Sequence, residues 1–128
     1  MSYHISKTLD ASLDNARQRT IDALAAAGFG VLTEIDVRAT MNKKLDRDMA
    51  SYVILGACNP EMAWQALQHE TKIGTMLPCN VIIREIEPGR SEVSAVDPQA
   101  SMQAIENDRL AEVAGAVRKQ LADMIDAL

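Results

Sequence analysis

Met49-Ala50-Ser51-Tyr52-Val53-Ile54-Leu55-Gly56-Ala57-Cys58-Asn59-Pro60 decides how the rest of the chain is read. The span from Met49 to Ala57 is apolar at consecutive positions through Val53, Ile54 and Leu55, the pattern of a strand that lies inside a sheet. Asn59-Pro60 then announces a helix. Asn accepts a hydrogen bond from a free first-turn N–H, and Pro at the first helical position gives up an N–H that has no partner there anyway. A central strand running straight into a helix fixes a mixed α and β fold, and the helix extends to about Glu70 with Ala63, Ala66, Leu67 and Trp64 facing inward.

Working outward, Tyr3 to Leu9 alternates Tyr3, Ile5 and Lys7 against His4 and Ser6, a first strand. Leu9, Leu13, Ala16, Thr20, Leu24 and Ala27 then step by three or four, which predicts an amphipathic helix capped by Asp10 or Ser12 and closed by Gly28. Val31, Thr33, Ile35 and Val37 alternate with Glu34 and Asp36, a strand with its carboxylates on a wet face. Thr40 to Leu45 predicts a short helix capped by Thr40. Lys72 to Pro78 is a loop, Cys79 to Ile86 a fourth strand, and Glu87-Pro88-Gly89-Arg90 a type II turn into a fifth strand over Glu92–Val96. Asp97-Pro98 opens a short helix or turn. Leu110, Val113, Val117, Leu121, Met124 and Leu128 line a long final helix.

The order β-α-β-β-α-β-β-α, with no linker or repeat to split it, makes residues 1–128 a single domain. The fold class is α+β, a two-layer sandwich with an antiparallel-rich sheet of about five strands covered on one face by helices. Aromatic residues are few, so Leu, Ile, Val, Ala and the 7 Met must build the core. With 18 acidic and 13 basic residues the net charge is −5, and no Lys/Arg patch exists to displace counterions from a nucleic acid. No apolar run approaches the roughly 20 residues needed to span a bilayer, and the N-terminal residues lack the layout of a signal peptide. The expected setting is cytoplasmic, without membrane or nucleic-acid partners, where two cysteines remain thiols.

Those cysteines carry the chemistry. Gly56-Ala57-Cys58-Asn59-Pro60 and Met76-Leu77-Pro78-Cys79-Asn80 both place a Cys-Asn pair where a strand meets a breaker. Cys58 precedes a helix start, whose backbone N–H groups favour an anion such as a thiolate. Paired strands would bring Cys79 near it. The two then read as a redox pair, as two ligands of a soft metal, or as two small buried apolar residues. Their separation of 21 positions fits no Cys-x-x-Cys spacing. Asn59 reads as the helix cap, while Asn80 inside an apolar strand needs polar partners if buried. His69 reads as a cation at a helix C-terminus, His4 as a wet-face residue, and neither supplies an evident third metal ligand. Glu34 with Asp36 read as a solvated face, and Lys43, Lys44 and Arg47 as a solvated basic cluster. No phosphate loop, Gly-x-Ser-x-Gly elbow or His-Glu-x-x-His helix is present.

Gly28 to Val37, the two cysteine motifs and Asp97-Pro98 together resemble, over essentially the whole chain, a widespread bacterial and archaeal family: number three hundred and two among domains of unknown function. The resemblance implies a small homodimeric α+β protein with signature positions at Cys58, Asn59, Pro60, Pro78, Cys79 and Asn80. It implies no reaction and no cofactor. The functional expectation is a small-molecule or metal-ion binding module with a site at Cys58, Asn59, Cys79 and Asn80. The alternative is a thiol-based redox or sulfur-handling enzyme using Cys58, and whether the chain is an enzyme stays open at this point.

Overall fold

A computed structural model describes residues 2–128. Five strands, β1 (His4–Leu9), β2 (Gly30–Asp36), β3 (Tyr52–Cys58), β4 (Cys79–Glu87) and β5 (Arg90–Val96), form one sheet. Its order is β1-β5-β4-β3-β2 and every neighbouring pair is antiparallel. Helices α1 (Leu13–Ala26), α2 (Val37–Leu45), α3 (Pro60–His69), α4 (Pro98–Ser101) and α5 (Asp108–Asp126) fill the connections, with a 3-10 turn over Thr71–Met76. The expected α+β sandwich and the central place of β3 are both present.

Alternation sorts the sheet into two faces. Val53, Leu55, Ala57, Val81, Ile83, Val93 and Ala95 point to one side and are almost fully buried. Ala16 and Leu24 of α1 and Leu110, Val117 and Leu121 of α5 complete that core. On the other side, Ile35, Ile54, Ile82, Ser94 and Ser6 stand in register across all five strands. The row changes character along its length: Ser6 and Ser94 share a 2.6 Å hydrogen bond, while Ile35 at the far edge is 47% exposed.

Caps set the helix boundaries. Ser12 accepts from Asn15 N and starts α1, and Gly28 follows the helix at φ 91°, a conformation that suits glycine. Gly89 adopts φ 79° in the β4–β5 turn, as a type II turn requires. Two expectations change here. The helix before β3 begins at Val37 rather than Thr40, because Asp36 supplies the cap by accepting from Ala39 N at 2.9 Å. β2 also does not keep its simple alternation. Val31 pairs with Ala57 but Thr33 pairs with Gly56, so Leu32 is an extra residue in a β-bulge. The bulge reverses the parity of the strand: Thr33 and Ile35 turn to the open face, and Glu34 and Asp36 to the side of Leu55 and Val53. Glu34 there meets Arg17 of α1 in a two-pronged ion pair.

Candidate functional site

β3 and β4 bring the two cysteine motifs to the same end of the sheet. Ala57 pairs with Cys79 and Gly56 with Asn80. The hydrogen-bond ladder can approach so closely there because Gly56 has no side chain. A Cβ on it would collide with Thr33 Oγ1 and lie 2.8 Å from Pro78 Cγ. Pro78 follows a cis peptide bond from Leu77.

Beside this strand end lies a cavity of about 330 Å³. Ala57 and Cys79 of the sheet border it, with Met62, Ala63, Ala66 and Leu67 on α3 and Val113, Ala114 and Val117 on α5. Phe29, Leu32, Pro98 and Met102 complete the wall together with Cys58, Asn59, Leu77 and Pro78. No lining residue carries a charge. The polar atoms of the lining side chains are two thiols and one amide.

That amide is occupied. Asn59 Oδ1 accepts from Met62 N at 3.3 Å, the expected N-cap, and Nδ2 donates to Gln120 Oε1 on α5 at 3.2 Å. Asn59 thus ties α3 to α5, with one acceptor and one donor site of its amide engaged. Cys79 is 8% exposed. Burial, and secondarily the neighbouring Cys58, push its thiol from the ordinary 9.0 up to about 11, so it is protonated at neutral pH. Cys58 is half-buried, and both cysteines are free. Both thiols border the cavity, and Cys58 lies near enough to act on the Cys79 thiol.

Of the four residues expected to form a site, Cys58, Asn59 and Cys79 border the cavity. Asn80 does not: it is exposed on the open face opposite Gly56, where water serves the amide. Trp64, expected to face inward, is 62% exposed, and Ala66 is the buried residue of α3. His69 sits at the last turn of α3, where its carbonyl accepts from Asn107 Nδ2 at 3.0 Å, and His4 Nδ1 bonds Ser6 Oγ at 2.7 Å. Among the described residues no three His, Cys, Asp or Glu side chains gather in a group able to hold a metal ion.

Glu34 and Asp36 are both exposed, as expected of a solvated pair, and each also has a local partner. Glu34 faces α1, where its hydrogen bond from Arg17 holds the carboxyl below its ordinary value, and Asp36 is a cap. Lys43 and Lys44 lie exposed in the last turn of α2, favourable at a helix C-terminus. Asp97, 7% exposed, caps α4 through Gln99 N and receives a 3.0 Å hydrogen bond from Arg118.

The cavity walls from Phe29, Met62 and Met102 had no local signal in the sequence. Val113 and Val117 were visible only as members of an apolar helix stripe, and a stripe facing a cavity looks the same as one facing solid core. Among the described residues no helix is long and apolar enough to cross a membrane.

Comparison with known proteins agrees with this architecture. None of the curated proteins matches the chain. Among solved structures, the crystal structure of an uncharacterized conserved protein DUF302 from Bacillus stearothermophilus superposes with a TM-score of 0.90. It is 25% identical, and the match covers 98% of each chain. The model of the family described as "Domain of unknown function DUF302" matches residues 5–128. The motifs that suggested this family are thus carried on the fold it was expected to have, and the chain belongs to the DUF302 family.

Proposed function

We propose that this chain is a small-molecule binding module whose site is the cavity beside Cys58 and Cys79, and that it works as a homodimer. The observation that carries the reading is the cavity itself. A space of about 330 Å³ at the meeting of sheet, α3 and α5 is within the usual range for ligand sites. It is bordered by both cysteine motifs. A metal ion is the less favoured ligand, because among the described residues no third His, Cys, Asp or Glu gathers with the two thiols.

A fragment screen followed by protein NMR tests this. Hits should shift resonances of Ala57, Met62, Cys79 and Val117 together, and those shifts should vanish in Ala63→Phe, which fills the cavity. Hits scattered over the surface, or none at all, reject the site.

The dimer reading is supported by the open face, where Ile35, Ile54 and Ile82 form an aliphatic row that another copy would cover. Ile54→Lys should then lower the sedimentation mass from twice that of the chain to once. A wild type that sediments as a monomer ends that part of the proposal.

A second reading, thiol-based redox or sulfur chemistry at Cys58, draws on the partial exposure of Cys58 just before the α3 cap. Cys79 is a poor resolving partner for it, being buried and protonated. Alkylation of wild type and Cys58→Ser across pH separates the readings. A Cys58 that alkylates no faster than a free thiol at neutral pH removes the enzyme reading.

A further inference from the structure

We propose that the cavity beside Cys79 takes an uncharged, polarizable molecule, preferentially an aromatic one of about two fused rings. This rests on the binding reading above and names the ligand class.

Charge is excluded by what the wall lacks. No lining side chain is ionised, and the Asn59 amide is engaged on both arms, by Met62 N and by Gln120. The nearby Asp97 and Arg118 satisfy each other. A carboxylate, phosphate or ammonium entering here would shed water and find no partner, which is strongly unfavourable. Burial already disfavours the charged form of the Cys79 thiol in this surrounding, which is the same physics acting on a resident group.

Size follows from volume. An apolar cavity of roughly 150 Å³ stays dry and binds benzene. This one, at about 330 Å³, has space for about twice that molecule.

The preference for an aromatic ring comes from sulfur. Four sulfur side chains, Cys58, Met62, Cys79 and Met102, border the one cavity. Thioethers are polarizable and make favourable contacts with aromatic ring edges. Phe29 adds a ring of its own to the wall.

The experiment uses the full chain and two probes that share a ring system, methyl 2-naphthoate and 2-naphthoate, followed by isothermal titration. The neutral ester should bind one per chain, and the anion about tenfold or more weaker, since tenfold corresponds to only a small part of the desolvation of an unpaired carboxylate. Ala63→Phe, by occupying the space, should weaken the ester about tenfold or more. Leu67→Glu, at a lining position that is 40% exposed and so tolerant of substitution, should do likewise by adding a charge to the wall. The second variant serves if the first does not fold, which circular dichroism will show. An anion that binds as tightly as the ester, with the same sensitivity to the variants, overturns the ligand class and leaves the site intact. Failure of both probes to bind, or binding indifferent to both variants, overturns the class and the binding reading together.

Discussion

Two cavities of nearly equal size lie at opposite ends of β2 and β3. The one beside Cys79 measures about 330 Å³; the other, about 350 Å³, is bordered by Asp36, Arg38, Asn42, Asp48, Ser51 and Tyr52 among others. Their difference is in chemistry, not in space. At the polar end the charged groups have local work: Asp36 caps α2, and Arg38 reaches Asp48 at 3.1 Å and Ser51 Oγ at 3.4 Å. Water can solvate such a wall at little loss. At the apolar end water gains few hydrogen bonds and the wall atoms lack contact partners, so a complementary apolar molecule improves both. Volume alone therefore selects neither end, and lining chemistry selects one.

Substitutions can break that contrast. The largest effect is expected from Phe29→Ala, which removes a ring that is 3% exposed and belongs to both the core and the cavity wall. It should lower stability by about 3–5 kcal/mol in urea denaturation, and a loss below about 1 kcal/mol would show that the wall is not continuous with the core.

Next comes the alkaline limb of stability. The folded state holds the Cys79 proton more tightly than the unfolded chain, so this contribution is fully present below pH 9.0 and is lost as pH rises towards 11. Wild type should lose about 2–3 kcal/mol more than Cys79→Ala over that interval. Parallel pH profiles for the two proteins would contradict the burial of a protonated thiol.

At the polar end the effects shrink. Asp36→Ala removes the α2 cap and should lower stability by about 1 kcal/mol, with lost helical signal as the accompanying readout. Arg38→Ala breaks an exposed ion pair and should stay within about 0.5 kcal/mol of wild type. A large loss from Arg38→Ala would mean that the polar end is a built site after all.

What the sequence disclosed was whatever is decided within a few residues. Asn59-Pro60 predicts the start of α3, Ser12 and Gly28 bracket α1, and Pro88-Gly89 predicts the hairpin turn, since each acts through its own backbone. The inward direction of Trp64 failed because α3 turns only a narrow side to α5, and Ala66 takes the buried place. Helix α2 started early because Asp36, read as a strand residue, ends the strand and caps the helix at once. The cysteine motifs lie at one end of the sheet, as the pairing of their strands led us to expect. Asn80 was misplaced with them because adjacent strand residues face opposite sides. The cavity was invisible, since it is bordered by residues from Phe29 to Val117 that meet only in the folded chain.

The extra residue at Leu32 has a consequence for how β2 can vary in length. Deleting Leu32 would leave Val31 opposite Ala57 and Thr33 opposite Gly56, the partners they already have, and restore simple alternation with every later side chain on its present side. Glu34 would keep Arg17, Asp36 its place at the start of α2, and Thr33 its hollow over Gly56. The bulge is thus a spare residue, and relatives one residue shorter here should keep all three positions unchanged.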